Sequence, residues 1–170
     1  MNKKLNFKIV GSGPTGILLP IALSKLNLNI YLTDLIKKES LIDKEKTYAI
    51  THSTRKILEK FSIWDKLKPY IFGFSTLTIS DSVFPSITTL TTADLDKDII
   101  LENNIGWVVK HSDLMNVFFQ EIENKENIFF ISPQKLSQKK NYFDFQFIST
   151  GANSFDKSIL TFPYIQKLYN

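Results

Sequence analysis

An α/β fold built on a parallel sheet is predicted by three features of this sequence. The first is the run Lys8-Ile9-Val10-Gly11-Ser12-Gly13-Pro14-Thr15-Gly16-Ile17-Leu18-Leu19, which spells GxGxxG between a strand and a helix. The second is the apolar strand Leu28-Asn29-Ile30-Tyr31-Leu32-Thr33, which ends in the carboxylate Asp34 about twenty residues beyond the glycines. The third is the later alternation of amphipathic helix and short apolar strand, the pattern of a sheet with helical crossovers. Together they describe a Rossmann-like sheet opening at the N-terminus.

In the glycine run each residue answers a separate demand. Gly11 permits the tight turn, Gly13 lets the backbone approach a pyrophosphate, and Gly16 lets helix and strand pack closely. Ser12, Pro14 and Thr15 complete the loop, and the helix N-terminus offers free N–H groups and a partial positive charge to an anion. Asp34 is the candidate acceptor for ribose hydroxyls, and a carboxylate there disfavours a 2′-phosphate. The residues therefore point to the ADP half of FAD or NAD and make NADP the poorest occupant.

Pro20 falls inside the first helix, where proline removes a backbone hydrogen bond, so a kink or a loss of about 3 kcal/mol is expected. Residues 35–47 are polar and read as an exposed loop. From Ser53, the spacing of Ile57, Leu58, Phe61, Trp64 and Leu67 predicts one amphipathic helix ending before Pro69, with Thr51 or Ser53 as its N-cap. Strands are predicted over 72–80, 86–95 and 105–109, a β-rich excursion from the nucleotide fold. Leu114, Val117, Phe118 and Ile122 mark a further helix, followed by strands over 128–131 and 143–148.

Composition excludes several functions. The chain has 170 residues, 43% of them hydrophobic, enough for a real core but short for a dinucleotide enzyme with its own substrate domain. It has no cysteine, which excludes disulfides, thiolate metal sites and thiol nucleophiles. His52 and His111 are read as surface or helix-start residues, and no metal site is expected. The net charge of +4 comes from scattered lysines interleaved with acids, so nucleic acid is not an expected partner. Arg55 is the sole arginine among 21 basic residues. No apolar run reaches the roughly 18 residues of a membrane span, and the N-terminus given lacks the long apolar core and small-residue cleavage site expected of a signal peptide. A cytoplasmic protein is expected, with peripheral membrane contact left open.

With these elements placed, the chain resembles the FAD-dependent aromatic hydroxylases of the ubiquinone-biosynthesis type. Four segments carry the resemblance: the glycine loop; Lys46-Thr47-Tyr48-Ala49-Ile50-Thr51-His52-Ser53 with the helix running to Trp64 and Leu67; Ile105-Gly106-Trp107-Val108-Val109; and Ser149-Thr150-Gly151-Ala152-Asn153-Ser154. The resemblance implies that the ADP part of FAD lies on Gly11, Gly13, Gly16 and Asp34. It also implies contacts to the cofactor from Lys46, which stands where the family has arginine, and from Gly151 in the last motif. Lysine keeps the charge but not the planar fork of arginine. Thr150 occupies the place of the family's aspartate and supplies a hydroxyl in place of a fixed charge.

The family uses NAD(P)H as electron donor and hydroxylates electron-rich phenols, polyprenylphenols in this branch. Because the flavin carries the chemistry, no catalytic side chain is named. The resemblance further implies that residues 1–170 are an N-terminal FAD-binding portion, with the substrate domain and the C-terminal flavin motif outside it. Weak activity in isolation, self-association, or completion by a C-terminal partner is then expected. Two other readings stand beside it: a non-catalytic FAD- or ADP-binding subunit or remnant, and an NAD-dependent dehydrogenase.

Overall fold

A computed structural model of the chain describes residues 4–80, 86–95, 103–133, 135 and 142–151. Ala152, Asn153, Ser154, Lys157 and the apolar run 159–165 lie outside the described residues. The chain opens with β1 (Leu5–Val10), α1 (Pro14–Leu23), β2 (Leu28–Thr33) and α2 (Lys38–Ile42). It continues through β3 (Thr47–Ile50), α3 (His52–Lys60), α4 (Trp64–Leu67), β4 (Ile71–Phe74), β5 (Thr76–Ser80) and β6 (Ile87–Thr91). The last described elements are β7 (Gly106–Lys110), α5 (His111–Glu123), β8 (Ile128–Phe130) and β9 (Phe145–Ile148).

The predicted parallel sheet is present, with strand order β8-β2-β1-β9. β1 pairs with β2 from Leu5↔Leu28 to Val10↔Thr33, and with β9 from Phe7↔Phe145 to Val10↔Ile148. This register puts Ile9, Ile30 and Leu32 on one face, where they pack in a single core cluster with Ile17 and Ile21 of α1 and Leu114, Met115, Phe118 and Ile122 of α5. Each fully buried Ile or Leu contributes roughly 1.5–3 kcal/mol, so this layer dominates the stability of the sheet. On the opposite face Tyr31 stacks on Phe129 at 5.2 Å and shares a 2.9 Å hydrogen bond with the hydroxyl of Tyr142. Burial and that bond raise the Tyr31 phenol to about 12.

The β-rich excursion is also present, as a three-stranded antiparallel sheet β3-β7-β4 and a separate hairpin β5-β6. α1 runs from Pro14 to Leu23 through Pro20, which is buried. The helix thus continues past Pro20, and burial of its apolar ring offsets part of the missing N–H bond.

Four local expectations need correction. Residues 35–47 are not all exposed loop, because α2 forms there and buries Leu41 to 2% exposure. The helix expected from Ser53 to Leu67 is two helices separated by Ser62, whose φ is +58°. Ser62 N–H donates to Glu59 C=O and Ile63 N–H donates to Leu58 C=O, both at 2.9 Å, the paired bonds of a Schellman stop, with Leu58 and Ile63 both buried beside it. The strand expected over 72–80 is likewise divided, β4 joining β7 while β5 joins β6. In 86–95, β6 ends at Thr91, where a Thr91–Asp94 capping box starts a short 3₁₀ turn. Thr51 is the N-cap of α3 as expected, accepting from Thr54 N–H.

Both histidines begin helices as expected, but neither is at the surface. His111 Nε2 lies 2.6 Å from the carbonyl of Leu41, which can only accept, so Nε2 carries the proton and Nδ1 accepts from the Tyr48 hydroxyl at 2.8 Å. The Tyr48 phenol is pushed up by burial, in keeping with its role as donor. One imidazole thereby ties α2, β3 and α5 together. Arg55 is also interior: its guanidinium lies 4.9 Å from the ring of Trp64 and 5.0 Å from that of Trp107, with Nε bonded to Glu59 at 2.8 Å.

Candidate functional site

The glycine loop lies at the C-terminal ends of β1, β2 and β9, the end of a parallel sheet at which ligands bind. β1 sits between β2 and β9, so the chain's path reverses direction across the sheet beside it. Each glycine has a distinct geometric reason. Gly11 has φ +102°, and a Cβ on it would lie 2.5 Å from the Ser149 carbonyl oxygen. A Cβ on Gly16 would lie 1.9 Å from the carbonyl oxygen of Gly11, so α1 and the loop touch through bare backbone. A Cβ on Gly13 would meet nothing within 4 Å among the described residues. The first two glycines are required by the protein itself, whereas Gly13 borders open space.

Gly13 is the N-cap of α1, with no side chain capping it, and Pro14 follows at the first helical position. The next N–H groups, those of Thr15 and Gly16, precede the first intrahelical bond, Ile17 N–H to Gly13 C=O at 3.0 Å. They form an anion cradle at the positive end of the helix dipole. Thr15 is exposed, whereas Ser12 is fully buried and its hydroxyl has no partner among the described residues. Thr33, 3% exposed at the end of β2, likewise has an unpartnered hydroxyl.

Asp34 is drawn into the loop. Its Oδ2 accepts from Ser12 N–H at 2.6 Å and its Oδ1 from Ile36 N–H at 3.0 Å. Two N–H donors fix the carboxylate plane, yet each oxygen keeps a lone pair for a further donor. Gly11 N–H is bonded to Thr33 C=O at 2.8 Å, joining loop and strand end a second time. Gly151, with φ +77°, and Thr150 are exposed just beyond Ser149, whose carbonyl lies under Gly11. The structure therefore brings Gly11 to Gly16, Asp34 and the Ser149–Gly151 segment together.

Lys46 stands apart from this group. It is exposed ahead of β3, its carbonyl accepts from His111 N–H at 2.8 Å, and its ammonium makes no hydrogen bond or ion pair among the described residues. A shallow cleft of about 680 Å³, lined by Lys4, Lys25, Asn29 and Lys125, lies at the other end of β1 and β2 and has no part in this site. Ser149, which the sequence offers only as the first residue of its fourth segment, also belongs to the site. Its hydroxyl donates to Gly11 C=O at 3.0 Å, across a separation in sequence that leaves no local signal.

The chemistry of the loop fits the ADP part of a dinucleotide: an open approach at Gly13, unsatisfied N–H groups at a helix start, an orphaned hydroxyl at Ser12, and an acid at ribose distance in the sequence pattern. No protein-family model matches the chain. Among curated proteins, the uncharacterized protein slr1300 of Synechocystis sp. is 25% identical over 135 residues, which cover 79% of this chain and 31% of that protein. Among solved structures, p-nitrophenol 4-monooxygenase PnpA from Pseudomonas putida DLL-E4 superposes with a TM-score of 0.62 at 16% identity, over 78% of this chain and 32% of PnpA. PqsL from Pseudomonas aeruginosa, described as a probable FAD-dependent monooxygenase, gives 0.58 at 8% identity, over 76% and 33% of the two chains. The fold of this chain is similar to that of about a third of each of these two monooxygenase chains. A third similar structure, 2-methyl-3-hydroxypyridine-5-carboxylic acid oxygenase, gives 0.56 at 14% identity, over 77% and 32%. The chain spans about a third of the length of each of these proteins.

No described helix is long and apolar enough to cross a membrane.

Proposed function

We propose that this chain is the FAD-binding portion of a flavin-dependent aromatic hydroxylase and that its glycine loop grips the ADP half of the cofactor. The observation that carries the reading is the contrast among the glycines, since Gly11 and Gly16 are forced by packing while Gly13 is left facing open space. Bound FAD would supply the oxygen-transfer chemistry. This chain's own residues bind and orient it: Gly13, Thr15 and Gly16 N–H groups on the pyrophosphate, the Ser12 hydroxyl beside them, and Asp34 on the ribose. Lys46 and Gly151 are its remaining candidate contacts. The Lys46 ammonium has no partner among the described residues, and Gly151 adopts a glycine-favoured conformation next to the loop.

The substrate class in this reading is an electron-rich phenol, a polyprenylphenol of quinone biosynthesis, with NAD(P)H as electron donor. Support for that finer assignment is the resemblance of the Lys46–Ser53 segment and its helix to the ubiquinone-type hydroxylases. Hydroxylation also needs a substrate pocket. In this proposal that pocket is built outside the described residues, and any contact with a membrane is peripheral.

The test is the visible absorption spectrum of the purified chain after incubation with excess FAD and desalting. Retained flavin bands support the proposal, and a colourless protein with no affinity for either FAD or ADP refutes it. A second reading, a binding module without catalysis, is favoured by one observation: Thr150 cannot supply the fixed charge of the family's aspartate. NAD(P)H-dependent phenol hydroxylation by the FAD-loaded protein would exclude that module. An NAD-dependent dehydrogenase rests on the glycine loop and Asp34 alone, and tight NADH binding without flavin affinity would be needed to support it.

A further inference from the structure

Both ends of one peptide unit in the glycine loop are held by side chains from two other strand ends. The N–H of Ser12 donates to Asp34 Oδ2 at 2.6 Å, and the C=O of Gly11 accepts from Ser149 Oγ at 3.0 Å. These two groups belong to a single peptide plane, which rotates as a rigid body about its flanking dihedrals. Asp34 follows β2 and Ser149 follows β9, so the plane is gripped from both sides of β1.

Ser149 is built into this position. Its backbone N–H bonds to Val10 C=O at 2.7 Å, and its hydroxyl also reaches that carbonyl at 3.3 Å. Its Oγ occupies the notch left by the missing side chain of Gly16, where a Cβ would stand 2.6 Å away. The ladder between β1 and β9 is already complete in backbone bonds from Phe7↔Phe145 to Val10↔Ile148. The hydroxyl therefore adds little to strand pairing, and its distinctive target is the buried carbonyl of Gly11.

We infer that Ser149 is a positioning residue of the dinucleotide site: with Asp34 it locks the Gly11–Ser12 peptide, so that the backbone from Gly13 into α1 presents its N–H groups to a diphosphate. The functional half of this inference rests on the dinucleotide reading proposed above. Gly11 has a positive φ and no side chain, so it is the residue about which the plane would turn if either grip were released. Releasing the hydroxyl would leave Asp34 as the sole holder.

The test uses the full chain and Ser149→Ala, which fits the same space and keeps the backbone ladder. Two quantities are read: hydrogen exchange at the Ser12 amide, and affinities for ADP and adenosine by calorimetry. The expected result is exchange at Ser12 accelerated about tenfold with the amides of β1 unchanged, and ADP affinity lowered about tenfold with adenosine affinity unaltered. Unchanged Ser12 exchange overturns the lock. An equal loss for ADP and adenosine overturns its role toward the diphosphate. Absence of ADP binding in the unmodified chain instead refutes the dinucleotide reading, while the exchange measurement still decides the lock.

Discussion

Alanine at Gly16 and alanine at Gly13 are chemically the same substitution three residues apart, and the structure assigns them opposite consequences. At Gly16 the added Cβ would stand 1.9 Å from Gly11 O, 2.6 Å from Ser149 Oγ and 2.8 Å from Gly11 C. An ordinary contact needs about 3.4 Å or more, so α1 must move roughly 1.5 Å away from the loop, through a core that is close-packed. Overpacking of this kind costs typically 1–3 kcal/mol, and the upper end applies because two of the three obstructing atoms are backbone. About 3 kcal/mol corresponds to a fall in Tm of roughly 6–12 °C for a domain of this size. At Gly13 the Cβ meets nothing, and its φ of −67° is open to any residue. There the slightly poorer cap is offset by lower entropy in the unfolded chain, leaving stability within about 0.5 kcal/mol of the original. Binding reverses the order: the methyl on Gly13 occupies the approach to the pyrophosphate, and ADP affinity should fall at least about tenfold. Thermal denaturation followed by circular dichroism, with ADP titration on the same samples, reads both effects. Unaltered ADP binding by Gly13→Ala would refute the phosphate assignment, and unaltered stability of Gly16→Ala would refute the packing argument.

Asp34→Asn keeps the side-chain shape but replaces one acceptor oxygen with a donor and removes the charge, so calorimetry should show ADP affinity lowered about tenfold and the preference for ADP over its 2′-phosphate reduced. Because the Tyr31 phenol sits at about 12 in the folded protein against 10 in the unfolded chain, its contribution is fully present below pH 10 and is lost as pH rises toward 12. Urea unfolding at pH 9 and pH 11.5 should lose roughly 2 kcal/mol more in the original protein than in Tyr31→Phe, and equal losses would contradict the assignment. Arg55→Lys keeps the charge but loses the planar stack between Trp64 and Trp107, and should lower unfolding free energy by about 1–3 kcal/mol, with the tryptophan near-ultraviolet dichroism altered. On β9, the edge strand of the sheet among the described residues, Phe145 is 54% and Phe147 41% exposed, so sedimentation should show concentration-dependent association that Phe147→Lys suppresses; a concentration-independent monomer would count against it.

How far the sequence could be read depended on how local each determinant was. The glycines, α1, β2 and Asp34 form one unit of about thirty residues whose spacing is itself the signal, and all of it was legible. The Schellman stop at Ser62 was not, because the apolar residues Leu58, Phe61, Trp64 and Leu67 stay in phase across the break and serine rarely takes a positive φ. α2 is five residues long, too short for any periodicity, and forms because Leu41 finds the core and its carbonyl finds His111. The histidines were legible as helix starts but not as interior residues, since nothing near them in sequence announces Leu41, Tyr48 or Asn104 as partners. Arg55 drew notice only by its rarity, and its tryptophan partners came from α4 and β7.

The same distinction bears on what the chain can grip. Every group proposed for the diphosphate and ribose lies on or just beyond β1, α1, β2 or β9; the three strands are joined by backbone ladders, and β1, α1 and β2 share one core. Folding of this sheet is therefore sufficient to assemble the loop proposed to hold ADP, with the Gly11–Ser12 peptide fixed before any ligand arrives. The candidate contacts outside the loop are of another kind: Lys46 is exposed on a different sheet's margin, and Gly151 is exposed beyond β9. Neither is held by side-chain bonds among the described residues, so each must be ordered at the moment of binding, and that ordering offsets part of the contact it makes. The expected outcome is an FAD affinity only slightly above that for ADP, with Lys46→Ala lowering FAD binding less than threefold and leaving ADP unchanged. An FAD affinity a hundredfold above that for ADP would mean that residues beyond the cradle are already organised around the isoalloxazine, and the division of labour argued here would be wrong.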